Sequence, residues 1–197
     1  MKKLFLDDIR TVDMVYNASM ESEFDVVRSF AAFVRYIEKN GLPSFISFDN
    51  DLGLDENGEV APDGYAAAKW LVYESGLNLM KLNYHVHSAN PVATEQIKGL
   101  LTNYQNHIRS EGFASEVEEY CSTIDWSNFS QKYDGLIQIV RNYNDMGLSR
   151  SKIVELLNVS CGLYADADNE PAEEVVSQIL NQITGYCPPY RDINLKE

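Results

Sequence analysis

The feature that most constrains the fold is a set of short apolar segments that end abruptly in polar residues. Residues 3–6 run straight into the acidic pair Asp7 and Asp8, and residues 44–48 run into Asp49. A short continuous apolar run bounded in this way is typical of a buried strand. The sequence therefore predicts a sheet of short buried strands with carboxylates where the strands end.

Helical segments alternate with these strands along the first half of the chain. The further predicted elements are strands at 24–27 and 84–87, helices at about 29–40, 64–74 and 91–108, and a polar loop at 53–63. Strands that alternate with helices are typical of a parallel, wound sheet with helices packed on it. We therefore expect an α/β domain over residues 1–108.

The second half has a different pattern. Apolar residues recur at helical spacing over 133–144, 152–157 and 173–183, and no segment there has the character of a strand. Ser149 is suited to the N-cap of the second of these helices. We expect residues 109–197 to be an all-helical C-terminal extension, which makes a second domain.

Charge limits the range of partners. The net charge of −14 argues against duplex DNA as a ligand, because duplex binding depends on neutralising phosphates with Lys and Arg. Residues 147–160 have the look of the first helix and turn of a helix-turn-helix, but the acidic segment 161–168 does not suit a recognition helix. A small nucleotide or an RNA end held through a metal ion remains compatible with this charge.

The sequence contains no apolar run of the roughly 20 residues that a membrane span needs. The apolar stretch before Asp7 is shorter than the core of a signal peptide. We therefore expect a cytoplasmic protein that does not bind membranes.

Polar residues follow three of the predicted strands, and in a wound parallel sheet ligands bind just beyond the carboxyl ends of the strands. These residues are Asp7, Asp8, Asp49, Asp51, His87, Ser88 and Asn90. Four carboxylates at one edge repel one another unless a cation lies between them. Mg²⁺ and Mn²⁺ prefer such oxygen ligands, so the four aspartates are the predicted metal ligands and metal-assisted phosphate chemistry is the predicted activity.

Several of these side chains have more than one interpretation. His87 is suited to general acid–base catalysis because the unperturbed imidazole pKa lies near neutrality. His85 shares its face of the strand, which permits a transition-metal site instead. Arg10 either binds a phosphate of the substrate or forms an ion pair with the acidic cluster. Asp63, before Gly64, either caps the next helix or helps to present backbone N–H groups to an anion.

The motifs Leu4–Arg10, Phe45–Gly53, Asp63–Gly64 and Val86–Pro91, in this order, resemble the cyclic-phosphate-processing receiver-like domain. This family occurs in bacterial and phage proteins and is an offshoot of the response-regulator receiver fold. The resemblance covers residues 1–105. It implies a receiver- or flavodoxin-like parallel sheet in the order 2-1-3-4.

The resemblance also implies roles for individual residues. In receivers, an acidic pair after the first strand and an Asp after the third strand bind Mg²⁺, the latter accepting a phosphoryl group, and a Ser or Thr follows the fourth strand. Asp7, Asp8, Asp49 and Ser88 stand at these positions. A fifth strand ending in Lys is not apparent, which argues against phosphorelay signalling.

Together the residues and the resemblance give a candidate site. His87, Ser88 and Asp49 are its catalytic candidates, and Arg10 and Asn90 are its candidates for substrate binding. His87 and Asn90 fit the cyclic-phosphate variant of the receiver better than a signalling receiver.

Two hypotheses of function follow. The first is a Mg²⁺-dependent phosphodiesterase or phosphohydrolase that acts on a cyclic phosphate of a nucleotide or an RNA end. The second is a non-catalytic, receiver-like binding or regulatory module. In that case the helical half contacts a partner protein or a second copy of the chain.

Overall fold

A computed structural model describes residues 3–54, 60–186 and 193–197. Its elements in chain order are β1 (Lys3–Leu6), α1 (Val12–Val15), a 3₁₀ helix (Ala18–Glu23), β2 (Phe24–Val27), α2 (Phe30–Asn40), β3 (Phe45–Phe48), α3 (Gly64–Tyr73), β4 (Asn83–Val86), α4 (Pro91–Cys121), α5 (Phe129–Asp145), α6 (Arg150–Asp166) and α7 (Glu170–Thr184). Contacts along the chain divide it into two compact units, Met1–Gln105 and Asn106–Glu197.

The first unit contains a four-stranded sheet in the order β2-β1-β3-β4, and every neighbouring pair of strands is parallel. The predicted parallel sheet and its order 2-1-3-4 are therefore confirmed. Because all four strands run the same way, the segments that follow β1, β3 and β4 leave the sheet at one edge. In the predicted loop at 53–63, Leu54 and Val60 form an isolated antiparallel bridge, and residues 55–59 lie outside the described residues.

One face of the sheet packs against apolar side chains of the neighbouring helices. The side chain of Ser29 accepts a hydrogen bond from the backbone N–H of Ala32 and so caps α2, which ends at Gly41 with a φ of +79°. Phe33 of α2 lies against Phe48 of β3, with 5.9 Å between the ring centroids. These side chains exclude water from one side of the strands whose ends carry the polar residues.

The other face of the sheet is covered by the segment between β1 and β2. This segment is too short for a long helix, and it forms the single turn α1 followed by the 3₁₀ helix. Buried Phe5, Val12 and Phe24 form a cluster that the partly buried side chains of Val15, Tyr16, Met20 and Phe45 extend. This face is therefore largely aromatic.

Helices occupy the second unit, as the periodicity predicted. The buried residues of α7 recur at helical spacing, and they include Val176, Ile179 and Ile183. Helix α6 continues without interruption from Arg150 to Asp166, so the turn that a helix-turn-helix would need near residue 160 is not there. No helix in the described ranges is long and apolar enough to cross a membrane.

Helix α4 is longer than the sequence predicted. The predicted end near residue 108 is wrong, because the helix continues to Cys121. Phe113, Val117 and Cys121 follow one another at intervals of four residues, and all three are fully buried. The stripe of buried apolar residues on α4 thus continues beyond the predicted end of the helix.

Gly64, the first residue of α3, provides a test of how closely this helix must approach β3. A Cβ at this position would lie 1.9 Å from the backbone oxygen of Asp49. Gly64→Ala should therefore lower the free energy of unfolding by about 3 kcal/mol, because backbone atoms must move to remove the clash. Denaturant unfolding monitored by circular dichroism measures this change.

Gly99→Ala in α4 is the matched control. A Cβ at Gly99 meets no atom within 4 Å, so this change should stabilise the protein by about 0.5–1 kcal/mol through helix propensity alone. Equal stability of Gly64→Ala and the wild type would show that α3 does not need this close approach.

Candidate metal and phosphate site

An open cavity of about 620 Å³ lies at the edge of the sheet where β1, β3 and β4 end. It is lined by Asp7, Asp8, Ile9, Arg10, Asp49, Asn50, Asp51, Gly53, Ser88, Ala89 and Asn90. The structure thus brings every sequence-predicted site residue except His87 to one cavity.

Three of the four predicted metal ligands form a tight group. Asp7, Asp8 and Asp49 each offer a carboxylate oxygen, and these oxygens all lie within 4.8 Å of one another. Asp51 is not in this group. It is exposed, and its carboxylate accepts a hydrogen bond from the backbone N–H of Gly53.

Asp7 is fully buried, and both of its carboxylate oxygens are hydrogen-bonded. Oδ1 accepts from the backbone N–H groups of Ile9 and Arg10, while Oδ2 accepts from Arg10 Nε at 2.7 Å and faces His87 Nε2 at 3.0 Å. Burial alone would raise the pKa of Asp7, but these hydrogen bonds and the charge of Arg10 outweigh it and lower the pKa. Asp7 is therefore a buried, ionised carboxylate.

Arg10 bridges two of the acidic residues. Its Nη2 lies 2.7 Å from Asp49 Oδ1 while its Nε donates to Asp7, and its Nη1 donates to the backbone oxygen of His87 at 3.0 Å. Of its two predicted roles, the ion pair with the acidic cluster is therefore present. Arg28 supports the same loop by donating to the backbone oxygens of Asp7 and Arg10.

Asp8, unlike Asp7 and Asp49, has no ion pair among the described residues. The ion pairs that the described residues form at this edge go to Asp7 and Asp49. Partial burial raises the pKa of Asp8, and the negative charges of Asp7, Asp49 and Asp51 raise it further. Gly53 has a φ of +70°, and a Cβ there would lie 2.8 Å from Asp8 Oδ2, so the glycine admits this carboxylate.

His87 lies behind Asp7, outside the cavity lining. Its side chain is only 3% exposed, its Nε2 faces Asp7, and its Nδ1 lies 2.7 Å from Ser47 Oγ. The ring stacks on Phe5 with 4.7 Å between centroids. Burial lowers the pKa of His87 despite its contact with Asp7, so the imidazole is neutral at neutral pH. The sequence did not show how deeply this ring is buried.

Ser88 and Asn90 line the cavity at the start of α4. The Asn90 side-chain oxygen accepts from the backbone N–H groups of Val92 and Ala93, which caps the helix. The Ser88 hydroxyl oxygen accepts from the backbone N–H of Asn90. The Ser88 hydroxyl hydrogen and the Asn90 amide group remain suited to donate to a ligand oxygen.

The structure distinguishes between the alternative interpretations of Asp63 and of His85. The Asp63 side chain accepts from the backbone N–H of Ala66 at 2.7 Å, which is ordinary helix capping. His85 is exposed and its Nδ1 lies 2.9 Å from the Tyr16 hydroxyl, whereas the group of possible metal ligands found in the described residues is made of aspartates. The geometry thus favours an oxygen-ligand site over a two-histidine site.

Sequence reasoning missed Ser47, Tyr16 and Arg28, which lie behind the cavity. The signal for Ser47 was its position as a polar residue within the apolar strand β3. No comparable signal marked Tyr16 or Arg28, because their contacts depend on how the loop between β1 and β2 folds back on the sheet.

Comparison with known proteins gives one match. A family model described as "Cyclic-phosphate processing Receiver domain" matches residues 2–103. Neither the curated proteins nor the solved structures contain a match to the chain.

The free-energy cost of ionising Asp8 should be measurable as a lower stability of the folded protein. A folded-state pKa above the unfolded value means that folding favours the protonated carboxyl, so ionisation of Asp8 destabilises the protein as the pH rises. Asp8→Asn should therefore raise the Tm at pH 7 in EDTA by roughly 1–2 °C. The difference should shrink as the pH falls toward the ordinary aspartate pKa of about 3.9, because Asp8 is then protonated in both the folded and the unfolded wild type.

Differential scanning calorimetry from pH 3.5 to pH 8 measures this effect. Asp13→Asn, at an exposed position in α1, is the control because it changes the net charge equally without touching the cluster. A lower Tm for Asp8→Asn than for the wild type at pH 7 would contradict the prediction.

Arg10 should compete with a divalent cation for the same carboxylates. Arg10→Gln should bind Mg²⁺ or Mn²⁺ about tenfold more tightly, because no guanidinium then has to be displaced from Asp7 and Asp49. The metal-free variant should be less stable by about 2 kcal/mol, since it leaves two carboxylates without their cation. Titration calorimetry and denaturant unfolding measure the two effects.

Arg35→Gln, on the exposed side of α2, removes the same charge away from the cavity and should change neither quantity by much. Weaker cation binding by Arg10→Gln than by Arg35→Gln would show that Arg10 supports the cation rather than competes with it.

Proposed function

The chain belongs to the cyclic-phosphate processing receiver family, and from that premise we propose that it is a Mg²⁺-dependent protein that processes a cyclic phosphate on a nucleotide or an RNA end. The observation that supports this proposal best is the group formed by Asp7, Asp8 and Asp49 at an open cavity. The family supports a phosphate-handling role, while the cation and the substrate are our own assignment.

The donor set fits a hard divalent cation. Oxygen ligands lie about 2.0–2.1 Å from Mg²⁺, so two ligand oxygens of one ion are at most about 4.2 Å apart. The carboxylate oxygens of Asp7, Asp8 and Asp49 lie within 4.8 Å of one another, close to this requirement. Asp7, Asp8 and Asp49 are the residues that would hold the ion. Such an ion polarises a phosphoryl oxygen and lowers the pKa of bound water.

The cavity suits a nucleotide more than a free phosphate. Its volume of about 620 Å³ falls within the range of about 300–1,000 Å³ that is usual for sites of small organic ligands. Ile9 lines it and is 79% exposed, which offers an apolar surface to a base or a sugar. Ser88 and Asn90 would donate hydrogen bonds to phosphate oxygens, and Arg10 would neutralise phosphate charge once it leaves Asp49.

The proposed reaction adds water across one P–O bond of the cyclic phosphate. The water oxygen bonds to phosphorus, the bond to one ester oxygen breaks, and that oxygen takes up a proton to give a phosphomonoester. His87 does not line the cavity, so it affects this reaction only through its contact with Asp7. The cavity is open, and solvent can supply the proton to the leaving oxygen. We assign Asp49 a part in both cation binding and turnover.

Hydrolysis of a panel of cyclic phosphates tests the proposal. The panel contains 2′,3′- and 3′,5′-cyclic mononucleotides and a short RNA ending in a 2′,3′-cyclic phosphate, each with Mg²⁺ or with EDTA, and ³¹P NMR identifies the products. We expect Mg²⁺-dependent turnover of at least one substrate. Asp49→Asn should lower the rate by about 100-fold and Ser88→Ala by about tenfold.

Asp13→Asn is again the control and should keep the wild-type rate. Equal turnover in EDTA would contradict the metal assignment. Mg²⁺-dependent binding of a cyclic nucleotide without any turnover would support the non-catalytic module instead.

A further inference from the structure

A continuous chain of hydrogen bonds connects the cavity to the surface through the aromatic face of the sheet. Ser47 in β3 is fully buried, and its Oγ lies 2.7 Å from His87 Nδ1 and 2.8 Å from the hydroxyl of Tyr16. The same hydroxyl lies 2.9 Å from Nδ1 of the exposed His85, while His87 Nε2 lies 3.0 Å from Asp7. We call these five residues, Asp7, His87, Ser47, Tyr16 and His85, the polar chain.

The placement of the polar chain follows from the register of the sheet. Phe5 is opposite Ser47, and Ser47 is opposite His85, so the three side chains share one face. His87 lies two residues after His85, and its ring stacks on Phe5. The side chain of Tyr16, which follows α1, packs against this same face of the sheet. The backbone topology therefore aligns these polar groups among aromatic side chains.

The charge of Asp7 sets the direction of every hydrogen bond in the polar chain. Two backbone N–H groups and Arg10 Nε donate to the Asp7 carboxylate, which therefore carries no proton and can only accept from His87. His87 Nε2 must then carry the hydrogen. The ring is buried and stacked on Phe5, and Arg10 already balances the charge of Asp7, so a neutral ring with Nδ1 as an acceptor fits this position.

The rest of the polar chain follows from this assignment. Ser47 donates its hydroxyl hydrogen to His87, so its oxygen accepts from the hydroxyl of Tyr16. The Tyr16 oxygen in turn accepts from His85 Nδ1. With the neutral ring, every contact of the polar chain has one donor hydrogen and one acceptor, and all the hydrogens point toward Asp7.

We propose that Ser47 and Tyr16 are positioning residues, which hold His87 as its Nε2–H tautomer against Asp7 and so fix the orientation of that carboxylate at the cavity. The tautomer and its partners stand on the geometry of the polar chain alone. The consequence for cation binding rests on the proposed function.

Packing alone does not account for these two residues. Ser47 is flanked in β3 by Ile46 and Phe48, and a buried hydroxyl costs free energy unless it is hydrogen-bonded. The ring of Tyr16 already packs against Phe5 and Phe24, which a phenylalanine would do as well. What both residues add is a hydroxyl aligned with His87. His87 is the direct partner of Asp7, and partners of a metal-ligating group typically affect metal affinity by about 10–100-fold. Ser47 and Tyr16 act on that partner, so their effects belong at the lower end of this range.

Imidazole ¹⁵N NMR of the full chain tests the proposal directly, because the protein has only three histidines. His87→Gln assigns the His87 signals. In the wild type, we expect His87 as a single Nε2–H tautomer whose proton exchanges slowly with water. Ser47→Ala should raise that exchange rate at least about fivefold, since it removes the partner of Nδ1, and Tyr16→Phe should have a smaller effect in the same direction.

Mn²⁺ titration provides the second readout, with Ser47→Ala expected to bind about tenfold more weakly. The controls are Tyr36→Phe, which removes a hydroxyl that donates to Asp25, and Ser160→Ala in α6, which removes a hydroxyl far along the chain. Both controls should leave the His87 signals and the Mn²⁺ affinity unchanged. Tyr16→Phe keeps the aromatic packing, so it still tests the polar chain if Ser47→Ala does not fold.

The outcomes separate this inference from the proposed function. A His87 that is an Nδ1–H tautomer or a mixture in the wild type overturns the inference. So do His87 signals that neither variant changes. Slow exchange in the wild type and faster exchange in the variants support it even if Mn²⁺ binds to none of the proteins, a result that would refute the proposed cation site alone.

Discussion

The buried charge of Asp7 is the interaction on which the rest of this site depends. An ionised carboxylate removed from water costs several kcal/mol unless other groups replace its hydration. Here two backbone N–H groups, the Arg10 guanidinium and the His87 imidazole do so. The loop after β1 must curl back to present those N–H groups, which places Arg10 beside Asp49 and His87 behind Asp7. One requirement of electrostatics thus organises the ends of three strands.

Not every carboxylate at this edge is compensated in the same way. Asp7 and Asp49 have an internal cation in Arg10, whereas the pKa of Asp8 is raised by burial and by the charges around it. Uncompensated charge of this kind lowers the stability of the folded protein and is typical of positions kept for a ligand. The stable core of the sheet, with fully buried Leu4, Ile46 and Phe48, is what allows the edge to carry that cost.

The sequence predicted the fold of the first unit well, because the apolar strands, the capping serine at position 29 and the motifs after the strands are local signals. It also predicted which residues meet at the cavity, since the ends of parallel strands meet at one edge. It did not predict that His87 is buried, because an imidazole at a strand end can lie on either side of the loop that follows β1. The end of α4 was predicted too early. The apolar residues that continue its buried stripe, Phe113 and Val117, stand among polar residues, so the helical pattern there is weak.

The Arg10 bridge between Asp7 and Asp49 also has an evolutionary consequence. Replacing the arginine alone leaves two carboxylates without a cation, and replacing either aspartate alone removes one of the two carboxylates that balance the guanidinium. Each single step is costly, whereas a simultaneous change could restore charge balance. Positions 7, 10 and 49 should therefore be inherited as one unit, and a descendant that has lost one of them should have changed the others.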